Sequence, residues 1–120
     1  MELSTAVKGL SALAQDARLS VFRLLVRAGP AGIAAGDVAR TLGITSNTLS
    51  AQLNVLSNAG LIQSRRHGRS IIYAADYDGI AELLVYLTED CCQGRQEICA
   101  PLAEVISRAA FREQAEGALS

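Results

Sequence analysis

Residues 36–58 read GDVARTLGITSNTLSAQLNVLSN and contain two helical patterns separated by a short turn. The first pattern covers residues 36–42, and Gly43 ends it because glycine readily adopts the left-handed conformation that closes a helix. The second pattern covers residues 47–58 and carries an apolar stripe at helical spacing. That stripe consists of Leu49, Leu53 and Leu56.

The pattern becomes extended after Gly60. Residues 61–65 and 70–74 are predicted to be strands, and residues 66–69, Arg-His-Gly-Arg, are predicted to be the turn between them. Two short helices around a tight turn, followed by a basic hairpin, predict a winged helix-turn-helix. The expected fold class is therefore mainly α with a small β-hairpin.

Four further helices are predicted around this unit. The first is residues 3–13. The second is capped by Asp16 and stopped by residues 29–32; its apolar stripe is Leu19, Phe22 and Val26, with Val21, Leu24 and Leu25 beside it. Another is capped by Asp76 or Asp78 and runs into Cys91 and Cys92, and the last begins at Pro101. The chain has 120 residues and is 50% hydrophobic, which suits one domain. We expect a single domain over residues 1–112 and a polar tail over residues 113–120.

The charges are divided along the chain although the net charge is only −1. Residues 17–75 contain seven Arg and one acid, Asp37, which gives +6, whereas residues 76–120 sum to −6. Arginines gain affinity for phosphates by releasing counterions. The middle of the chain is therefore predicted to bind an anionic partner.

Polar side chains of the second helix in the 36–58 segment are predicted to reach base edges of double-stranded DNA, and the basic hairpin to contact its backbone or minor groove. The candidate DNA-binding residues are Ser46, Asn47, Thr48, Ser50, Gln52 and Asn54 on the helix, with Arg65, Arg66, His67 and Arg69 on the hairpin. The alternatives are an ordinary solvated helix face and a winged domain that binds only proteins.

The three cysteines, Cys91, Cys92 and Cys99, are clustered outside the basic segment. Residues 1–5 lack the cationic start of a secretion signal, and no uncharged apolar run approaches the roughly 20 residues that span a bilayer. We therefore expect a cytoplasmic protein. Cytoplasmic thiols are kept reduced, so the cluster is interpreted as a ligand set or a redox switch, in preference to a disulfide framework.

An enzyme that uses the vicinal thiols, such as a thiol-dependent reductase, is the alternative from another class. The sequence has no Cys-x-x-Cys pair, phosphate-binding loop or positioned base, and its one histidine, His67, lies in the predicted hairpin. The chain is therefore predicted not to be an enzyme and to need no cofactor for DNA binding.

The sequence resembles the ArsR-type metalloregulatory repressors. Four segments carry the resemblance: residues 17–25, 46–56, 59–62 and 65–69. It covers about residues 3–90 and implies a homodimeric winged-helix repressor whose terminal helices dimerise. Such a repressor binds a palindromic operator and releases it when an inducer binds. Asn54 departs from the family pattern, since many members have Lys there.

The position of the cysteines resembles the arsenic-responsive subgroup, which has a vicinal Cys pair at the end of the fifth helix and a third Cys shortly after it. Three thiolates suit As(III) or Sb(III), which are soft and pyramidal, and methylarsenite is another candidate inducer. Zinc usually takes a fourth ligand. A zinc, cadmium or persulfide sensor of the same fold is the alternative prediction.

Overall fold

The computed structural model describes residues 1–88 and Pro101, and residues 1–86 form one compact unit. The helices of the described part are α1 (Leu3–Leu13), α2 (Asp16–Ala28), α3 (Ala35–Leu42), α4 (Ser46–Asn58) and α5 (Tyr77–Thr88); the strands are β1 (Ile33–Ala34), β2 (Ile62–His67) and β3 (Ser70–Ala75). The winged helix-turn-helix prediction is confirmed. The predicted helix from Pro101 and the tail over residues 113–120 lie outside the described residues, apart from Pro101 itself.

The start of α2 differs from the prediction. The side chain of Gln15 caps the helix, with Oε1 accepting a hydrogen bond from the Arg18 backbone N–H at 2.8 Å. Asp16 lies in the first turn instead, so its assignment as the cap was wrong. An acidic residue in the first turn still interacts favourably with the helix dipole.

The most buried residues of α2 are those predicted to lie beside its apolar stripe and not the stripe itself. Val21 and Leu25 are fully buried, whereas Leu19 is 43% exposed. Residues four apart share a helix face, and the aliphatic run of this helix permits more than one inward stripe. Packing against the rest of the core selected the stripe through Val21 and Leu25.

The turn between α3 and α4 is closed by residues at both ends. Gly43 has a φ of 66°, the left-handed conformation expected there. Thr45 caps α4, since its hydroxyl oxygen accepts from the Thr48 backbone N–H at 3.2 Å. The predicted stripe of α4 is confirmed as buried, and Val38 of α3, which the sequence did not single out, is fully buried beside Ala39.

The sheet contains one strand more than predicted. Strands β2 and β3 pair in antiparallel register, and β1 adds to β3 with Ile33 opposite Tyr73. Gly32 enables this approach, because a Cβ at that position would overlap the carbonyl oxygen of Tyr73.

The hairpin turn is tighter than predicted. Arg66 and His67 belong to β2, and His67 pairs with Ser70, so only Gly68 and Arg69 form the turn. Gly68 has a φ of 64°, the positive value that two-residue hairpin turns require. The assignment of residues 66–67 to the turn was therefore wrong.

Helix α5 begins close to the end of α4. Asp76 is its cap, and its carboxylate accepts from the Gly79 backbone N–H at 3.1 Å, in agreement with one of the two predicted caps. Gly79 approaches the carbonyl oxygen of Gly60 so closely that a Cβ there would overlap it. No helix in the described part of the chain is long and apolar enough to cross a membrane.

Replacing Gly79 with Ala is expected to lower the free energy of unfolding by about 1–3 kcal/mol, because the first turn of α5 must move away from Gly60. Urea unfolding measures the change. Gly36→Ala is the matched control: its new Cβ would lie 3.6 Å from the nearest side-chain atom, so this variant should be as stable as the wild type or more so. An unchanged midpoint for Gly79→Ala would contradict the prediction.

Candidate nucleic-acid interface

The face of α4 opposite the buried leucines is exposed and polar. Successive residues project about 100° apart around a helix, which places Asn47, Ala51 and Asn54 nearly opposite the core, with Ser50 beside them. All four are exposed. Ala51 was not among the candidates because it is apolar, although its position on the helix could have identified it. A short methyl side chain there lets the helix backbone approach a flat surface or a groove.

Two further candidates lie at the start of α4. Ser46 and Thr48 are exposed. The hydroxyl of Thr48 accepts a hydrogen bond from the Thr45 hydroxyl at 2.9 Å, so it takes part in closing the helix end. It keeps its own proton available for donation to another group.

Gln52 lies on the flank of α4 and not on its outward face. Its side chain is half-buried, and Oε1 accepts from the Arg18 guanidinium Nη1 at 3.3 Å. This candidate is therefore engaged within the fold. Arg18 was not identified from the sequence as a neighbour of the candidate site, because it is 34 positions from Gln52 along the chain and no local pattern joins them.

The wing, residues 62–75, carries two kinds of arginine. Arg65 donates to the backbone carbonyl oxygens of Ala31 at 2.6 Å and Pro30 at 3.4 Å, which ties the wing to the turn before β1. Arg66 and Arg69 are exposed and make no side-chain hydrogen bond to any residue that the structure describes. They can therefore meet a phosphate without breaking an internal contact.

His67 is also exposed, on the same face of β2 as Arg65, because alternate residues of a strand point to the same side. Arg66 points to the other side. The hairpin thus presents cations on both faces and at its tip, an arrangement that suits contact with more than one stretch of an anionic backbone.

The only acid of residues 17–75, Asp37, forms an ion pair with Arg40 one turn later in α3. Both side chains are largely exposed, so the pair contributes little to stability. Its effect on the site is electrostatic: the carboxylate is compensated locally and does not oppose the wing arginines.

The predicted inducer ligands, Cys91, Cys92 and Cys99, lie outside the described residues. Among residues 1–88 and Pro101, no three His, Cys, Asp or Glu side chains are grouped so as to hold a metal ion. The cysteine site remains a prediction from the sequence.

A helix-turn-helix domain model matches residues 13–65. The HTH-type transcriptional regulator NmtR of Mycobacterium tuberculosis is 40% identical over 75 residues, which are 62% of this chain and 60% of NmtR. The chain thus spans about 60% of the length of the curated relatives that it matches.

Solved structures extend the similarity over more of the chain. The crystal structure of Rv0081 of M. tuberculosis is 30% identical, with a TM-score of 0.55, and the match covers 87% of this chain and 91% of that one. The homodimeric winged helix-turn-helix domain of Mb0332 from Mycobacterium bovis, a possible ArsR-family regulator, is 26% identical with a TM-score of 0.60 and coverages of 79% and 85%.

A third structure is the antimony-specific transcriptional repressor AntR. It is 29% identical, with a TM-score of 0.54, and the match covers 68% of this chain and 72% of AntR. The extent of the Rv0081 match, the helix-turn-helix model and the observed wing agree with one another. The chain therefore belongs to the winged helix-turn-helix transcriptional regulators, and a possible ArsR-family regulator is among the structures that it resembles.

Proposed function

We propose that this chain is a homodimeric repressor that holds operator DNA with α4 and the wing and releases it when trivalent arsenic or antimony binds Cys91, Cys92 and Cys99. DNA binding is supported by the exposed polar face of α4, which lies beside a hairpin with unengaged arginines. Release by an inducer is supported by the chemistry of the cysteines and by the similarity to AntR.

The shape of α4 suits the major groove, which is about 12 Å wide and admits one helix. Asn47, Ser50 and Asn54 provide donors and acceptors for base edges, and the methyl group of Ala51 suits contact with thymine. Arg66 and Arg69 provide the phosphate contacts that supply most of the salt-dependent affinity.

Dimerisation is supported by an apolar stripe on α1. Leu3, Val7 and Leu10 are 67%, 52% and 42% exposed, and their spacing places them on one side of the helix. The other side of α1 packs inward, where Gly9 faces Leu83 of α5. A row of water-facing aliphatic side chains is typical of an interaction surface. A two-fold dimer places two α4 helices about one turn of DNA apart, which fits a palindromic operator.

Three soft thiolates favour As(III), Sb(III) or methylarsenite over zinc, since these pyramidal ions are satisfied by three sulfurs. Coordination within residues 91–99 would constrain the chain that follows α5 and change how two protomers meet. A small change in the spacing of the two α4 helices then lowers operator affinity. A zinc, cadmium or persulfide inducer is the alternative.

The function is tested by fluorescence anisotropy of the protein on DNA from its own promoter. The expected result is salt-dependent binding that arsenite, antimonite or methylarsenite reverses and that zinc and cadmium leave intact. X-ray absorption of the loaded protein should show three sulfur neighbours. Release by zinc with a mixed nitrogen, oxygen and sulfur shell would instead support the alternative.

Arg66→Ala and Arg69→Ala are each expected to reduce the slope of log affinity against log salt by about 1, because each removes one phosphate contact. Arg65→Ala should chiefly lower the thermal stability of the fold, since two backbone carbonyls lose their donor. The salt slopes of the three variants, measured by anisotropy, separate these roles. If Arg65→Ala lost a full unit of slope and the other two variants lost none, Arg65 would be the phosphate contact and Arg66 and Arg69 would not.

Val7→Glu is expected to shift the dimer to monomer at micromolar concentration, because the interface would have to bury an unpaired carboxylate. Sedimentation equilibrium measures the change. Ser4→Glu adds the same charge to α1 outside the apolar stripe and should leave the dimer intact. Dimers of equal strength in both variants would exclude this face of α1 from the interface.

Cys99→Ser is expected to bind the operator with wild-type affinity and to lose release by arsenite, because a serine hydroxyl is a poor ligand for a soft ion. Anisotropy during an arsenite titration provides the measurement. Release at the wild-type arsenite concentration would show that Cys99 is not an inducer ligand and would leave the DNA-binding proposal unaffected.

A further inference from the structure

The side chain of Arg18 reaches from the first turn of α2 to the end of α1. Its Nε donates to the carbonyl oxygen of Ala12 at 2.7 Å, and Nη2 donates to that of Ser11 at 3.4 Å. These carbonyls belong to the last turn of α1, where helix geometry leaves few donors, and that of Ser11 also accepts from the Ala14 backbone N–H at 3.2 Å. A cation at this end also interacts favourably with the helix dipole.

The same guanidinium contacts α4. Its Nη1 donates to Gln52 Oε1 at 3.3 Å, in a partly buried position. The guanidinium is planar and its donors are held in a rigid fork. One inflexible group therefore connects the end of α1 to the middle of α4, in addition to the apolar contacts between these helices.

The connection differs in kind from the packing around it. Leu49, Leu53 and Leu56 hold α4 in the core by apolar burial, which is not directional and tolerates small rotations. The bond from Arg18 to Gln52 is directional. It resists rotation of α4 about its own axis, the movement that would redirect Asn47 and Asn54.

We infer that Arg18 is a positioning residue that couples α1 to α4 through Gln52. The inference rests on the proposed function. Because α1 carries the exposed stripe of Leu3, Val7 and Leu10, a change in how two protomers meet at α1 reaches α4 through this bond. Gln52 then supports DNA binding by orienting α4.

The hydrogen bond from Arg18 also affects how Gln52 could contact a DNA base. A bidentate contact from glutamine to adenine uses both the amide oxygen and the amide nitrogen. The oxygen of Gln52 accepts from Arg18, which uses one of its two lone pairs and holds the amide on the flank of α4. This orientation separates Gln52 from the outward residues of α4.

The test is a double-mutant cycle of Arg18→Met and Gln52→Leu, with operator affinity measured by anisotropy at one salt concentration. Each single variant is expected to bind about tenfold more weakly, the effect of losing a hydrogen bond to a charged group. The double variant should be no weaker than the weaker single variant. Gln52→Glu keeps an acceptor for Arg18 and should remain within about threefold of the wild type.

Two outcomes would overturn the inference. Additive losses in the cycle would show that the residues act independently. The second outcome has two parts: Gln52→Glu greatly lowers operator affinity, and Gln52→Leu lowers it further in the Arg18→Met background. That combination would show that Gln52 contacts DNA directly. If Arg18→Met does not fold, the comparison of Gln52→Leu with Gln52→Glu decides the question.

Amide hydrogen exchange in the absence of DNA tests the coupling between α1 and α4 independently of the proposed function. Gln52→Leu should accelerate exchange in α4, Arg18→Met should do so in α4 and in the last turn of α1, and Arg23→Met should do neither. Arg23 is the matched control because it is exposed on α2 and makes no side-chain hydrogen bond to the described residues. A wild-type protein that binds no DNA would refute the proposed function; unchanged exchange in Gln52→Leu would refute the coupling.

Discussion

The burial of one face of α4 is the constraint on which the rest of the structure depends. Leu49, Leu53 and Leu56 are buried in the same aliphatic core as Val21 and Leu25 of α2. Burying a leucine side chain contributes about 1.5–3 kcal/mol. Because a helix is rigid, burying this face directs the opposite face to the solvent. The polar residues of that face are therefore exposed without needing contacts of their own.

Two arginines supply the directional contacts that apolar packing lacks. Arg18 joins the end of α1 to α4, and Arg65 joins the wing to the turn before β1. Both donate to backbone carbonyls at a helix end or in a turn, so each provides a donor to main-chain acceptors while fixing the position of an element. The basic character of residues 17–75 is thus divided between arginines that hold the fold and arginines that are available to an anionic partner.

The helices were predictable because their apolar periods are local. The stripe of α4 and the ends of α1 follow from spacing within about a dozen residues. Strand β1 was not predictable, because two residues acquire extended pairing only when β3 lies beside them. The exposure of Leu19 was missed for a related reason: α2 has aliphatic residues on several sides, and only its neighbours determine which side is buried.

Residue type and local spacing specify the order of the helices and of the two hairpin strands, the basic middle of the chain and the polar composition of α4. The sequence also contains three thiols within nine residues. Which of the polar side chains of α4 is held by the fold follows only from the tertiary packing. The distinction between Asn54 and Gln52 depends on Arg18, which is distant in sequence and becomes a neighbour only when α1, α2 and α4 pack together.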